Sequence, residues 1–178
     1  TMQYGDTARI YRINFGWNRR KANSPEGFLL DIERGYWASN NDLPTEEDED
    51  NPDLGTQVER VVPYVEDRRN ALVLKLDAPG DEATMASLQS AIKEAIQNLY
   101  QLEPSELPAD PLPSRDDRKV LYFFESAEGG AGVLRQLVQG PGAIASVARK
   151  ALELCHIDPD TGEDLDDTAT CTAACYEC

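Results

Sequence analysis

A single histidine, His156, is all that 178 residues offer, and that scarcity removes most catalytic schemes built on an imidazole base. No H-E-x-x-H and no G-x-S-x-G occurs, so neither the zinc-protease helix nor the hydrolase nucleophile elbow is present. Apolar runs are short. None approaches the roughly 18 residues a membrane helix needs. The opening residues Thr1 to Asp6 lack the basic-then-apolar pattern of an export signal. Positive charge is sparse as well: 17 Lys and Arg stand against 33 Asp and Glu, a net charge of −16. Such a balance favours solubility and opposes indiscriminate nucleic-acid binding. Carboxylates are plentiful, yet no spacing singles out an acid–base pair. The chain is therefore expected not to be an enzyme.

What charge there is lies unevenly. Residues 1–38 carry Arg9, Arg12, Arg19, Arg20, Lys21 and Arg34 against four acids, a local +2, and the other 140 residues carry −18. Any contact with a polyanion is expected from the N-terminal part. Trp17 beside Arg19, Arg20 and Lys21 could stack on a base and neutralise phosphates; a solvated hairpin tip is the plainer reading. Residues 40–57 include seven acids and read as a mobile surface loop.

Forty per cent of the residues are apolar, enough for one domain with a real core. Ala8–Asn14 alternates and predicts a strand, as do Gly27–Ala38 with a break at Gly35 and Ala71–Ala78 with Leu72, Leu74 and Leu76 on one face; Glu59–Asp67 could be an extended segment, which Pro63 confines to an edge or a bulge. Met85, Leu88, Ile92, Ala95, Ile96 and Leu99 recur at helical steps and predict a helix over about 82–101, capped by Asp81 or Thr84. Four prolines between 103 and 114 predict an irregular extended stretch. Lys119–Glu125 reads as a strand buried on both faces. A helix to about Gln139 follows Gly129-Gly130-Ala131-Gly132. Another over 143–154 is expected to bury Ile144, Val147, Ala148, Ala151 and Leu152. The order predicts an α+β fold: a mixed sheet with a long amphipathic helix packed on it, two C-terminal helices and a cysteine knuckle.

The glycine segment sits where a strand feeds a helix, a common place for phosphate loops. It lacks the Lys of a P-loop and the last Gly of a dinucleotide fingerprint. Its glycines are expected to let the helix start sharply against the sheet. Glu125 and Glu128 would suit the helix dipole and repel a phosphate.

The cysteines fall late: Cys155, Cys171, Cys175 and Cys178, spaced C-x15-C-x3-C-x2-C. With no export signal the cytoplasm is the expected compartment. There such a cluster reads as metal or redox chemistry before a disulfide frame. Four thiolates suit zinc in a closed tetrahedral site, which folds a chain and leaves no position for substrate. Metal-free cysteines, a redox C-x-x-C and an iron–sulfur cluster are the competing readings. The 15 residues after Cys155 are long for a compact site, which sets Cys155 apart from the other three. His156, its neighbour, is an alternative ligand.

Five stretches carry a family resemblance: YRINFGWNRR (11–20), GFLLD (27–31), VVPYVEDRRNALVL (61–74), LYFFESAEGGAGVLRQL (121–137) and CTAACYEC (171–178). Together they resemble the MrfA-type zinc-binding domain found at the C-terminus of certain bacterial superfamily-two helicases and related proteins. The nearest likeness is to DrmB of the DISARM anti-phage system. The resemblance implies zinc held by Cys155, Cys171, Cys175 and Cys178. It also implies an accessory module without catalysis, whose partner is a helicase-type protein or other domains of the same parent chain, with DNA a further candidate. The chain then reads as one domain, 1–178, excised from a longer protein.

Overall fold

Alternating and β-branched residues at the N-terminal end, and one long amphipathic run after residue 81, set the two kinds of element. The computed structural model describes residues 1–16, 25–38, 58–114 and 117–165. The acidic loop 40–57, Trp17, Arg19, Arg20, Lys21, Cys171, Cys175 and Cys178 lie outside the described residues. Ten elements follow in order: β1 (Met2–Ile13), β2 (Phe28–Asp31), β3 (Tyr36–Ala38), β4 (Val58–Val61), β5 (Tyr64–Leu74), α1 (Glu82–Tyr100), β6 (Ala109–Ser114), β7 (Asp117–Phe124), α2 (Val133–Gln139) and α3 (Ala143–Leu154). The fold is α+β, as expected. In place of one mixed sheet there are two sheets, ordered β1-β5-β7-β6 and β3-β2-β4, with antiparallel pairing of β2 to β3 and β4, and of β7 to β5 and β6.

The chain divides into two compact units, residues 10–67 and residues 1–9 with 68–178. In the first, β2 is the central strand. Leu29 and Asp31 on its inner face are buried. Asp31 Oδ1 accepts from the backbone N–H groups of Glu33 and Arg34, at 3.0 and 2.9 Å. That bond pattern turns the chain toward β3, because a short carboxyl can take the place of a backbone acceptor in a tight turn. Phe28 and Trp37 meet edge to face across the pair. Tyr11 and Tyr64 form a second ring pair, with both side chains exposed.

The larger unit holds the main core. Leu72, Met85, Ile96, Leu107, Leu121, Phe123, Leu134 and Val147 are almost fully buried in one cluster. The unbroken apolar run of β7 is buried on both faces from Leu121 to Phe124, as its composition predicts. α1 starts at Asp81, whose side chain accepts from Thr84 N at 2.8 Å. It packs against β6, β7 and α3. Buried Gln89 joins it to the sheet: its Nε2 donates to the carbonyls of Asp110 and Tyr122, each at 3.0 Å. The proline-rich stretch is more regular than its composition suggests. Residues Ala109–Ser114 form the sheet edge β6, where missing N–H groups cost least.

Three expectations need correction. Leu99 is 43% exposed, near the end of α1. Ile144, Ala148 and Leu152 of α3 are exposed, and only Val147 and Ala151 of the expected five are buried. Among the described residues α3 packs mainly on α1 and α2, and an apolar arc wider than that contact leaves part of itself exposed. Finally, β5 ends at Leu74; Leu76 packs against the core from beyond the strand.

Candidate metal centre

α3 ends because its last turn closes on Cys155. The Cys155 N–H donates to the Ala151 carbonyl at 3.1 Å, and the following residue, His156, turns left-handed at φ 60°. Left-handed backbone just past a helix end is the usual way to terminate it, though the cost is higher for histidine than for glycine. Cys155 is exposed at this corner.

The chain does not then run away. Ile157 pairs with Asp164 in an antiparallel bridge. Asp158 N donates to the Glu163 carbonyl at 2.8 Å, and Leu165 N donates to the His156 carbonyl at 2.7 Å. At the tip, Asp158 Oδ1 accepts from Asp160 N and Thr161 N at 2.8 and 2.9 Å. Those backbone bonds, Thr161 first and then Asp160, hold the Asp158 carboxyl below its ordinary pKa. Arg149 on α3 reaches Asp160 at 2.9 Å, and this bond, more than the charge of Asp160 alone, raises the guanidinium pKa. Residues 156–165 are thus a hairpin strapped to the helix it follows.

The hairpin changes the meaning of the C-x15-C spacing. Ten of the fifteen intervening residues leave the helix end and return to it. From Leu165, which is bonded to the residue next to Cys155, five residues lead to Cys171. The six steps from Leu165 to Cys171 span at most about 22 Å when extended. The length of the spacer therefore does not by itself exclude Cys155 from a set with Cys171.

Of the expected site residues, the structure places Cys155 and His156. Among the described residues no group of three or more His, Cys, Asp or Glu side chains is arranged to hold a metal ion. Cys155 fits zinc chemically: a sulfur donor, exposed, at a fixed helix end, with three more cysteines later in the chain. A closed set of four sulfurs is what a structural zinc site takes.

The glycine segment starts α2 against the sheet with Glu125 at the helix N-terminus, as expected, and adds a partner, Asn70, that the sequence did not reveal. Glu125, at the end of β7, is 2% exposed. Its Oε2 accepts from Asn70 Nδ2 at 2.8 Å and Gly132 N at 3.2 Å; its Oε1 accepts from Leu134 N at 3.0 Å. The carboxyl thus fills the N-terminal end of α2 that a phosphate would otherwise take. Asn70 adds a bond to the Gly129 carbonyl at 3.1 Å and accepts from Thr7 N at 3.2 Å. Gly130, at φ +67°, passes so close that a Cβ there would stand 1.7 Å from Glu125 Oε2. An acid directly after a doubly buried strand and before a glycine turn was the available signal, since a carboxyl in that position needs nearby N–H donors. Nothing local pointed to Asn70, 55 residues away.

Among the described residues no helix is long and apolar enough to cross a membrane. No curated protein and no solved structure matches the chain significantly. A family model does: the MrfA Zn-binding domain matches residues 88–178. That range is just over half of the chain and takes in most of α1, β6, β7, α2, α3, the hairpin and all four cysteines. With zinc as the implied cofactor, the chain belongs to the MrfA Zn-binding domain family.

Proposed function

We propose that this chain is a non-catalytic accessory module of a bacterial DNA-processing or phage-defence protein of the DISARM type. Its fold is closed by one zinc ion on Cys155, Cys171, Cys175 and Cys178. The observation that carries the zinc assignment is the hairpin 156–165, whose return to His156 removes the objection that Cys155 is too distant in sequence. Four thiolates leave the ion no open position, so its contribution is to folding and rigidity. A rigid end on the α1–α3 layer suits a part that docks on a helicase-type partner, or on other domains of its own parent chain, and turns over nothing itself. Native mass spectrometry before and after titration with a mercurial tests it. One zinc per chain, released as four thiols react, is the expected result; an unmetallated or disulfide-linked chain overturns it.

A second reading, direct DNA binding, draws support from the exposed Tyr11–Tyr64 ring pair in the unit that also contains Trp17, Arg19, Arg20 and Lys21. Aromatic faces beside cations bind single strands by stacking and charge neutralisation. Affinity for single-stranded DNA that falls steeply with salt, and is lost on replacing Tyr11 and Tyr64 by serine, would favour this reading over partner docking.

A further inference from the structure

α3 ends in a form that a histidine rarely takes. Cys155 is its C-cap, and the next two residues close the end with crossed bonds. His156 N donates to the Glu153 carbonyl at 3.0 Å, and Ile157 N donates to the Leu152 carbonyl at 2.9 Å. This pair of bonds needs left-handed backbone at the residue after the cap, a place usually filled by glycine. Here that residue is His156, at φ 60°. Among the described residues, Thr7 and Gln101 are the other non-glycine positions with positive φ. Any side chain with a Cβ makes this conformation less favourable than it is for glycine.

His156 uses both of its backbone polar groups at this junction. Its N–H closes the helix, and its carbonyl accepts from Leu165 N at 2.7 Å, where the hairpin returns. Cys155 is bonded to the Ala151 carbonyl through its own N–H at 3.1 Å. The cysteine is thus held on the helix side by its own amide and on the hairpin side by its neighbour. None of these bonds involves the imidazole, and none needs a metal. We propose that Cys155 is a preset ligand: the left-handed turn at His156 holds it in place before the metal arrives, and His156 serves the site through its backbone, outside the metal shell. This rests on the zinc assignment above and adds which ligand is in place first and which residue keeps it there. A ligand that is already ordered spares the metal the entropy of ordering it. Loosening the turn therefore lowers zinc affinity by the fraction of chains in which the turn has opened.

The test compares His156→Gly, His156→Asn and His156→Val in the full chain. Glycine and asparagine accept left-handed backbone, and valine, branched at Cβ, resists it. Zinc affinity, read by competition with a chromophoric chelator, should stay within about 2-fold of wild type for Gly and Asn and fall on the order of 10-fold for Val. The cobalt-substituted Gly and Asn chains should keep the wild-type absorption spectrum, which reports the donor set. In the metal-free wild-type chain the amide protons of Ile157 and Leu165 should already be protected from exchange, and Val should lose that protection. Affinity that falls in Gly and Asn as far as in Val, with an altered cobalt spectrum, would put the imidazole in the shell and overturn the inference. Unchanged affinity in Val, or amides that exchange freely until zinc is added, would show that Cys155 is not preset and leave the zinc site standing. A wild-type chain that binds no zinc would overturn the zinc assignment and this inference together.

Discussion

Replacing Glu125 by glutamine exchanges one oxygen for an amide nitrogen at a position with three donors and no spare room. Oε2 serves Asn70 Nδ2 and Gly132 N, and Oε1 serves Leu134 N. A glutamine oxygen can stand on one side only. In its better orientation it keeps the two bonds at Oε2 and turns its own N–H₂ toward Leu134 N. That leaves a buried donor unsatisfied, at a cost of about 1–3 kcal/mol. Glu125→Ala strands all three donors and opens a void, for about 3–5 kcal/mol. For a chain of this size each kcal/mol lowers Tm by roughly 2–4 °C. Thermal unfolding by circular dichroism, in buffer with excess zinc, should show Glu125→Gln below wild type by about 2–12 °C and Glu125→Ala lower still. A double-mutant cycle with Asn70→Ala should return a coupling of about 0.5–3 kcal/mol, as expected for directly bonded partners. If both Glu125 variants unfold within about 1 °C of wild type, the carboxyl does not organise the glycine turn and the reasoning fails.

Other expectations can be checked on the same instrument. Gly130→Ala should destabilise by about 2–4 kcal/mol, since it forces both a left-handed alanine and a clash with Glu125. Leu134→Ala, at a fully buried site on α2, should cost about 2–5 kcal/mol. Asp81 caps α1, and hydrogen bonds from Thr84 hold its carboxyl below its ordinary pKa. A lowered folded pKa gives stability that is present above about pH 4 and is lost as pH falls through the folded value. Asp81→Ala should therefore melt below wild type at neutral pH, with the gap narrowing under pH 4. Asp158→Ala removes the acceptor that closes the hairpin tip; chelator competition should show weakened zinc binding with α-helical circular dichroism unchanged.

How far the sequence foretold this depends on whether the cause was local. The α1 period and its Asp81 cap, the doubly buried β7 and the break between β2 and β3 were legible, because each rests on residues within a few positions of one another. The exposure of Ile144, Ala148 and Leu152 was not. A helical period tells which residues share a side, and only the packing of neighbours decides how much of that side is covered. The hairpin 156–165 was not legible for a related reason: chain separation does not show that ten of the fifteen residues after Cys155 fold back on the helix end. The Glu125–Asn70 bond joins two strands far apart in sequence, and neither residue type announces it.

X-ray absorption at the zinc edge of the metal-loaded chain bears most directly on the central claim, that Cys155 completes the set begun in CTAACYEC. Four sulfur neighbours at about 2.3 Å, with one lost in Cys155→Ser, are the predicted result. A shell of three sulfurs and one nitrogen would give the fourth place to another residue such as His156, and a chain that retains no zinc would contradict the account outright.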